Sequence, residues 1–223
     1  MQAYKQEFIE LMVRSGVLLF GEFTTKSGRQ TPYFINTGKY ETGGQMARLG
    51  HFYAEALLGA VEGRIDFLFG PAYKGIPLVV ATAVALQEQF DRDLAICFNR
   101  KEKKDHGEGG ALVGHMPHDG ERVVIIEDVT TAGTSIREAL SLMQPVAELE
   151  YAGIIVSVDR MERGTGEKSA LQQIRDDLGI PVHPIVTLDE VVEHLHNREI
   201  DGRVVLDDAM LERIAAYRKE YGA

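Results

Sequence analysis

An α/β fold with a central, mainly parallel sheet flanked by helices is what this sequence predicts, and three observations predict it. Five short runs, "DFLFG", "DLAICFN", "RVVIIED", "AGIIVSVD" and "PVHPIVT", are almost continuously apolar, as strands buried on both faces must be. Helical stretches separate most of them, and strand alternating with helix gives a parallel sheet covered on both sides. The 223 residues, 44% apolar and 26% charged, suit one ordinary globular domain with an appended lobe.

Each element follows from its local pattern. A first helix is expected from about Tyr4 to Ser15, with Phe8, Ile9, Leu11 and Met12 on one side and Gly16 as its stop. "LLFGEFTTKSGRQTPYFINTG" alternates short β-prone runs with Gly and polar turn residues, as hairpins do, and Lys26 falls at one turn. From about Gln45 to Ala60, Met46, Leu49, Phe52, Tyr53, Ala56 and Leu57 recur at helical spacing. Further helices are expected over Gly75 to Phe90, with Pro77 in the first turn, over Ser135 to Met143 and over Leu171 to Leu178. The stretch from about Arg100 to Gly120 has no helical period, and such a segment in a compact domain is usually functional or mobile. Its end, "GHMPHDGER", carries no assignable chemistry; His115 and His118 read as solvent-exposed.

Composition removes several classes of function. A formal charge of −10 repels nucleic acid and anionic membranes, so an anionic ligand has to be captured locally. The single cysteine, Cys97, excludes an internal disulfide and suits a reducing compartment, and the histidines are not spaced as a zinc site. "MQAYKQEFIELMVRSG" has acids among its apolar residues, unlike a signal peptide, and no apolar run approaches the ~18 residues of a membrane span. A cytoplasmic protein is expected. No repeat, low-complexity tract or dividing linker is present in the sequence.

In open α/β sheets ligands bind beyond the carboxyl ends of the strands, which draws attention to "GPAYKG" after "DFLF" and "EDVTTAGTS" after "VVII". In the second loop Thr130, Thr131, Gly133, Thr134 and Ser135 lead into a helix, where small residues let backbone N–H groups converge on a phosphate. The P-loop spacing and its lysine are missing, and so is the dinucleotide fingerprint. Glu127 and Asp128, one loop away, suit the hydroxyls of a sugar attached to that phosphate. The same residues also fit a simple capped helix start. In "FNRKEKKDHGEGG", Arg100, Lys101, Lys103 and Lys104 crowd together before His106; they could close over a polyphosphate or form a solvated charged turn.

These stretches, with "FGPAYKGIPL" and "TTKSGRQTPYF", resemble type I phosphoribosyltransferases, and in particular their orotate-specific members. The resemblance covers nearly the whole chain in order. It implies a single domain over 1–223, with a small hood lobe built largely from about 1–40, a core over about 45–190 and a flexible lid over about 100–110. It implies an Mg2+-dependent glycosyltransferase that moves the 5-phosphoribosyl group of 5-phosphoribosyl 1-diphosphate (PRPP) to orotate. The products are orotidine 5'-phosphate and pyrophosphate, on the way to UMP in pyrimidine biosynthesis.

Residue by residue, the resemblance implies donor binding by Lys26, Tyr73, Lys74, Arg100, Lys101, Lys104, His106, Glu127 and Asp128, and by Val129, Thr130, Thr131, Ala132, Gly133, Thr134 and Ser135. Lys26, Lys104, His106 and Asp128 would be catalytic. Phe34, Ile35, Thr131 and Arg160 would meet orotate, an arginine fork being suited to a ring carboxylate; read alone, Arg160 among Asp159, Glu162 and Arg163 is a charged strand end. Mg2+ would ride mainly on the substrate diphosphate, with no direct protein ligand. A homodimer sharing its lids is implied, with no nucleic-acid or membrane partner. Glu127 stands where the family usually has Asp, and Ile35 where a second aromatic is common. The alternatives are a phosphoribosyltransferase for another base, or a non-catalytic regulator of the same fold.

Overall fold

The computed structural model describes residues 1–25, 28–102, 110–129, 133–164 and 166–223. All five predicted apolar runs are strands of one sheet: β3 (Phe67–Gly70), β4 (Ala95–Asn99), β6 (Arg122–Ile126), β7 (Glu150–Asp159) and β8 (Val182–Thr187). Numbering follows the chain, in which α1 (Ala3–Arg14), a hairpin of β1 (Leu18–Thr24) and β2 (Gln30–Ile35), and α2 (Gly43–Ala60) come first. A sixth sheet strand, β5 (Leu112–Gly114), pairs antiparallel with β4 at one edge. The sheet order is β5-β4-β3-β6-β7-β8, and every pair except β4–β5 is parallel.

β6 shows why these runs read as continuous. Val124 and Ile126 join the core cluster that contains α2 and α3 (Gly75–Phe90). Val123 and Ile125 face the other side, against α4 (Thr134–Met143) and α5 (Ala170–Leu178). Alternate side chains of a strand point to opposite faces, so both sets must be apolar when helices cover both faces.

Helix boundaries follow local chemistry. Thr42 accepts the Gln45 N–H while the Gln45 side chain accepts the Thr42 N–H, a reciprocal cap that starts α2 two residues before the predicted Gln45. Ser169 and Gln172 do the same for α5. α3 has the predicted bounds and stops at Asp91, whose φ is 53°.

The remainder of the chain forms α6 (Leu188–Leu195), a small hairpin of β9 (Glu199–Ile200) and β10 (Arg203–Val204), and α7 (Asp208–Tyr221). α7 packs on β2, and α6 and β9 pack on α1, so the two ends of the chain meet beside the hairpin. No helix among the described residues is long and apolar enough to cross a membrane. Cys97 is buried and unpaired, and burial pushes its thiol up to about 12; such a thiol is inert at neutral pH.

Candidate active site

β3 and β6 lie side by side, but the chain leaves β3 toward β4 on one side and leaves β6 toward β7 on the other. This is the switch point of the sheet, where the loops after the two strands diverge and open a crevice. The loop after β3 carries Tyr73 and Lys74, and the loop after β6 carries Glu127 and Asp128.

The first loop is a tight turn. Gly75 N–H donates to Pro71 O at 2.9 Å, and a Cβ on Gly70 would sit 2.3 Å from Gly75 O, so only glycine lets the two backbones meet. Buried Asn99, at the end of β4, accepts the Ala72 N–H at 2.8 Å and braces the turn from the next strand. The Ala72–Tyr73 peptide is cis. Tyr73 is left 68% exposed, with Lys101 Nζ 5.6 Å from its ring centroid.

Both acids after β6 are buried: Glu127 is 6% and Asp128 5% exposed. Asp128 Oδ2 accepts Lys74 Nζ at 2.8 Å and the Thr37 hydroxyl at 2.6 Å, while Lys74 also donates to Thr37 at 2.9 Å. Lys74 remains largely solvent-exposed, so it can leave this pair for an anion without unburying anything.

Glu127 is held differently. Its Oε1 accepts the Asp128 N–H at 2.8 Å and its Oε2 accepts the Ser135 hydroxyl at 2.5 Å. Its backbone carbonyl accepts the hydroxyl of buried Tyr53 at 2.7 Å. Burial raises the Glu127 pKa, and the Ser135 and Asp128 hydrogen bonds only partly offset it. Burial, with the Asp128 charge next, pushes the Tyr53 phenol well up, so Tyr53 stays a donor. The extra methylene of Glu127 thus has a use: the carboxylate bridges from the strand end to the first turn of α4. Asp128 borders a cavity of about 320 Å³ that is also lined by Tyr40, Tyr53, Leu78 and Ser157.

α4 begins behind Gly133, whose φ of 66° places it in the left-handed region. Thr134 and Ser135 stand in the first turn of that helix, an end whose N–H groups and dipole suit an anion. Val129 packs on the main core. Arg100 N–H donates to Ala111 O at 2.7 Å, which ties together the two ends of the predicted lid, and Arg100 and Lys101 border the Tyr73 side of the crevice. Lys26, Lys104, His106, Thr130, Thr131 and Ala132 lie outside the described residues.

Phe34 and Ile35 are neighbours on β2 and point to opposite faces. Phe34 is exposed and stacks on Phe23 at 5.6 Å, whereas Ile35 packs on the core. Arg160 follows β7 and is only 18% exposed at its side chain, paired with Glu162 at 2.7 Å. Sequence reasoning missed Thr37, Asn99 and Tyr53; single polar groups in "INTG", in "CFN" and on a helical stripe carry no pattern. It also placed His115 in solvent. His115 is instead half-buried, 2.8 Å from Glu121 and against Phe67 at 5.1 Å, because the β5–β6 connection folds back on the sheet edge; His118 is exposed.

A parallel sheet with an acid pair, a lysine turn and a small-residue helix start around its switch point is the framework of a protein that handles phosphorylated sugars. Comparison with known proteins agrees: the family described as "Phosphoribosyl transferase domain" matches residues 36–175. Orotate phosphoribosyltransferase of Lachnoclostridium phytofermentans is 55% identical over 222 residues, covering 100% of this chain and 99% of that protein. The Pseudomonas aeruginosa enzyme of the same name is 51% identical over 228 residues, with full coverage of both chains. A crystal structure of orotate phosphoribosyltransferase from Francisella tularensis superposes with a TM-score of 0.83 at 36% identity, covering 97% of this chain and 100% of that one. The chain belongs to the phosphoribosyltransferase family, among its orotate phosphoribosyltransferases.

Proposed function

We propose that the protein transfers the 5-phosphoribosyl group of PRPP to orotate, releasing pyrophosphate and forming orotidine 5'-phosphate, a step of pyrimidine biosynthesis toward UMP. The observation that carries this reading is the convergence of Lys74, Thr37, Asp128, Glu127 and Ser135 at the sheet's switch point in a chain that matches orotate phosphoribosyltransferases along its full length.

A ring nitrogen of orotate attacks the anomeric carbon as the bond to the diphosphate breaks, so positive charge develops on the ribose and negative charge on the leaving group. Asp128 and Glu127 face the ribose hydroxyls and the developing cation. Lys74, Arg100 and Lys101 receive the pyrophosphate, with Lys26, Lys104 and His106 completing that role. Preorganised charge of this kind is usually the largest contribution to such a barrier. The first turn of α4, with Thr134 and Ser135, takes the 5'-phosphate, and Arg160 and Phe34 take orotate.

Mg2+ is the proposed cofactor. Among the described residues no group of three or more His, Cys, Asp or Glu side chains could hold a metal. Mg2+ commonly keeps several waters and binds through substrate phosphates, so it would ride mainly on the diphosphate, with no direct protein ligand. When bound it would neutralise part of the diphosphate charge.

A homodimer and a cytoplasmic location belong to the same reading. The dimer is supported by an apolar groove on the outer face of α3, where Val80 and Val84 are exposed beside Met46 and Ile76, close to Tyr73. The location is supported by the free, buried Cys97. Mixing protein, Mg2+, PRPP and orotate tests the activity: orotate absorbance should fall with stoichiometric release of pyrophosphate. Pyrophosphate release that does not depend on orotate would contradict the assignment.

A further inference from the structure

β7 ends in a tight curl. The Met161 N–H donates to Asp159 Oδ1 at 2.8 Å, and Met161 has a φ of 53°. The curl sets the side chains of Arg160 and Glu162 side by side, and Arg160 donates from Nη2 and Nε to Glu162 Oε1 at 2.7 and 3.1 Å. That oxygen also accepts the hydroxyls of Tyr33, at 2.6 Å, and Tyr217, at 3.1 Å. Glu162 Oε2 lies 3.4 Å from Arg29 Nη1.

One carboxylate therefore joins three parts of the molecule: the hood hairpin through Tyr33 and Arg29, the C-terminal helix through Tyr217, and the end of a central strand through Arg160. The surroundings are tight. Tyr33 is fully buried, its ring edge-on to Tyr217 at 5.9 Å, with Arg160 Cζ 5.2 Å from the Tyr33 ring centroid. The chain end clamps the curl, Arg163 N–H donating to Tyr221 O at 2.8 Å and Ala223 N–H to Met161 O at 3.0 Å.

A lone surface ion pair contributes little, but this carboxylate is largely buried and saturated with donors. Its consequence is geometric: it fixes the plane of the Arg160 guanidinium. A guanidinium has more N–H donors than this single contact uses, and a fork already held in place loses less freedom on gripping a second carboxylate.

We propose that Glu162 is a positioning residue for orotate: it holds the Arg160 fork in the orientation that receives the substrate carboxylate, and Tyr33 and Tyr217 align Glu162 for that task. The inference rests on Arg160 being an orotate contact, as argued above.

Steady-state kinetics of Glu162→Gln, Arg160→Ala and the double variant test it. Glutamine keeps the volume and one oxygen acceptor but lacks the charge. The expected result for Glu162→Gln is a rise in the orotate KM of roughly tenfold, about 1.4 kcal/mol, with little change in the PRPP KM. In the Arg160→Ala background the same substitution should add nothing further, because its effect passes through Arg160. A purely structural role would move both KM values and add the same increment in both backgrounds, and that result overturns the proposal. So does an orotate KM that is unchanged or lowered in Glu162→Gln, the outcome expected if the carboxylate merely repels the substrate. If Arg160→Ala leaves the orotate KM unchanged, the Arg160 assignment falls too; if Arg160→Ala raises it and Glu162→Gln does not, only the present proposal falls. Should Glu162→Gln not fold, Tyr217→Phe removes one aligning donor and should raise the orotate KM selectively by about threefold; no selective rise overturns the proposal.

Discussion

Replacing Ser135 with alanine removes one hydroxyl from the start of α4 and deprives a buried carboxylate of its side-chain donor among the described residues, leaving the Asp128 backbone N–H. Glu127 is 6% exposed and receives Ser135 Oγ at 2.5 Å on one oxygen and the Asp128 N–H at 2.8 Å on the other. A hydrogen bond to a charged group contributes about 1.5–3 kcal/mol, so a loss near 2 kcal/mol is expected at neutral pH. For a chain of this length each kcal/mol moves Tm by about 2–4 °C, which gives a drop of about 4–8 °C.

The pH dependence carries the sharper signature. Burial already raises the folded pKa of Glu127, and the Ser135 bond is the largest influence lowering it, so the variant's folded pKa rises further. Between the ordinary glutamate value and the raised folded value, the native state binds more protons than the unfolded state, and stability falls as pH rises through that window. As pH falls toward the ordinary glutamate value, a growing share of Glu127 is protonated in the folded state and no longer needs a charge-stabilising donor, so the deficit of Ser135→Ala should narrow. Thermal unfolding of both proteins between about pH 5 and pH 8 measures this. Equal Tm values at neutral pH, or a deficit that does not change with pH, would mean that the Ser135 hydroxyl does not support the Glu127 charge.

Three further outcomes follow from the same geometry. Lys74→Ala should cut kcat/KM by about a hundredfold or more and cost about 1.5–3 kcal/mol of stability, since buried Asp128 loses its 2.8 Å charged donor; unimpaired turnover would remove it from the pyrophosphate site. Gly70→Ala places a methyl 2.3 Å from Gly75 O and 2.7 Å from Val79 Cγ1, and should cost about 1–3 kcal/mol in a melting experiment; a wild-type Tm would mean the turn has slack. Mixing inactive Lys26→Ala and Lys104→Ala proteins under confirmed subunit exchange should restore activity if each site draws on both chains, and no recovery counts against a shared lid.

The sheet was legible because burial on both faces forces an unbroken apolar run: β3, Phe67 to Gly70, is fully buried, and its sequence says so. β5 was not, being three residues long on an edge, within a glycine-rich stretch whose period means nothing at that length. α7 buries only Ile214 and Tyr217 along its length, too thin a stripe to mark its core face. At the site, the acid pair and the lysine turn were visible because charged or small residues directly after apolar strands are an unusual arrangement. What the sequence hid were partnerships. Thr37 reaches Asp128 across 91 positions, Tyr53 reaches the Glu127 carbonyl across 74, and Tyr33 reaches Glu162 across 129; tertiary folding alone brings such residues together. Glu162 in particular looked like one charge among several at a strand end.

Which base the site accepts is decided by a competition experiment. Orotate, uracil, adenine and hypoxanthine are offered together at equal concentration with PRPP and Mg2+, and the nucleotides formed are identified by mass spectrometry. Arg160, held beside the hood hairpin by Glu162, suits a base that carries a carboxylate, and the predicted product is orotidine 5'-phosphate alone. Formation of UMP, AMP or IMP in its place would contradict the account.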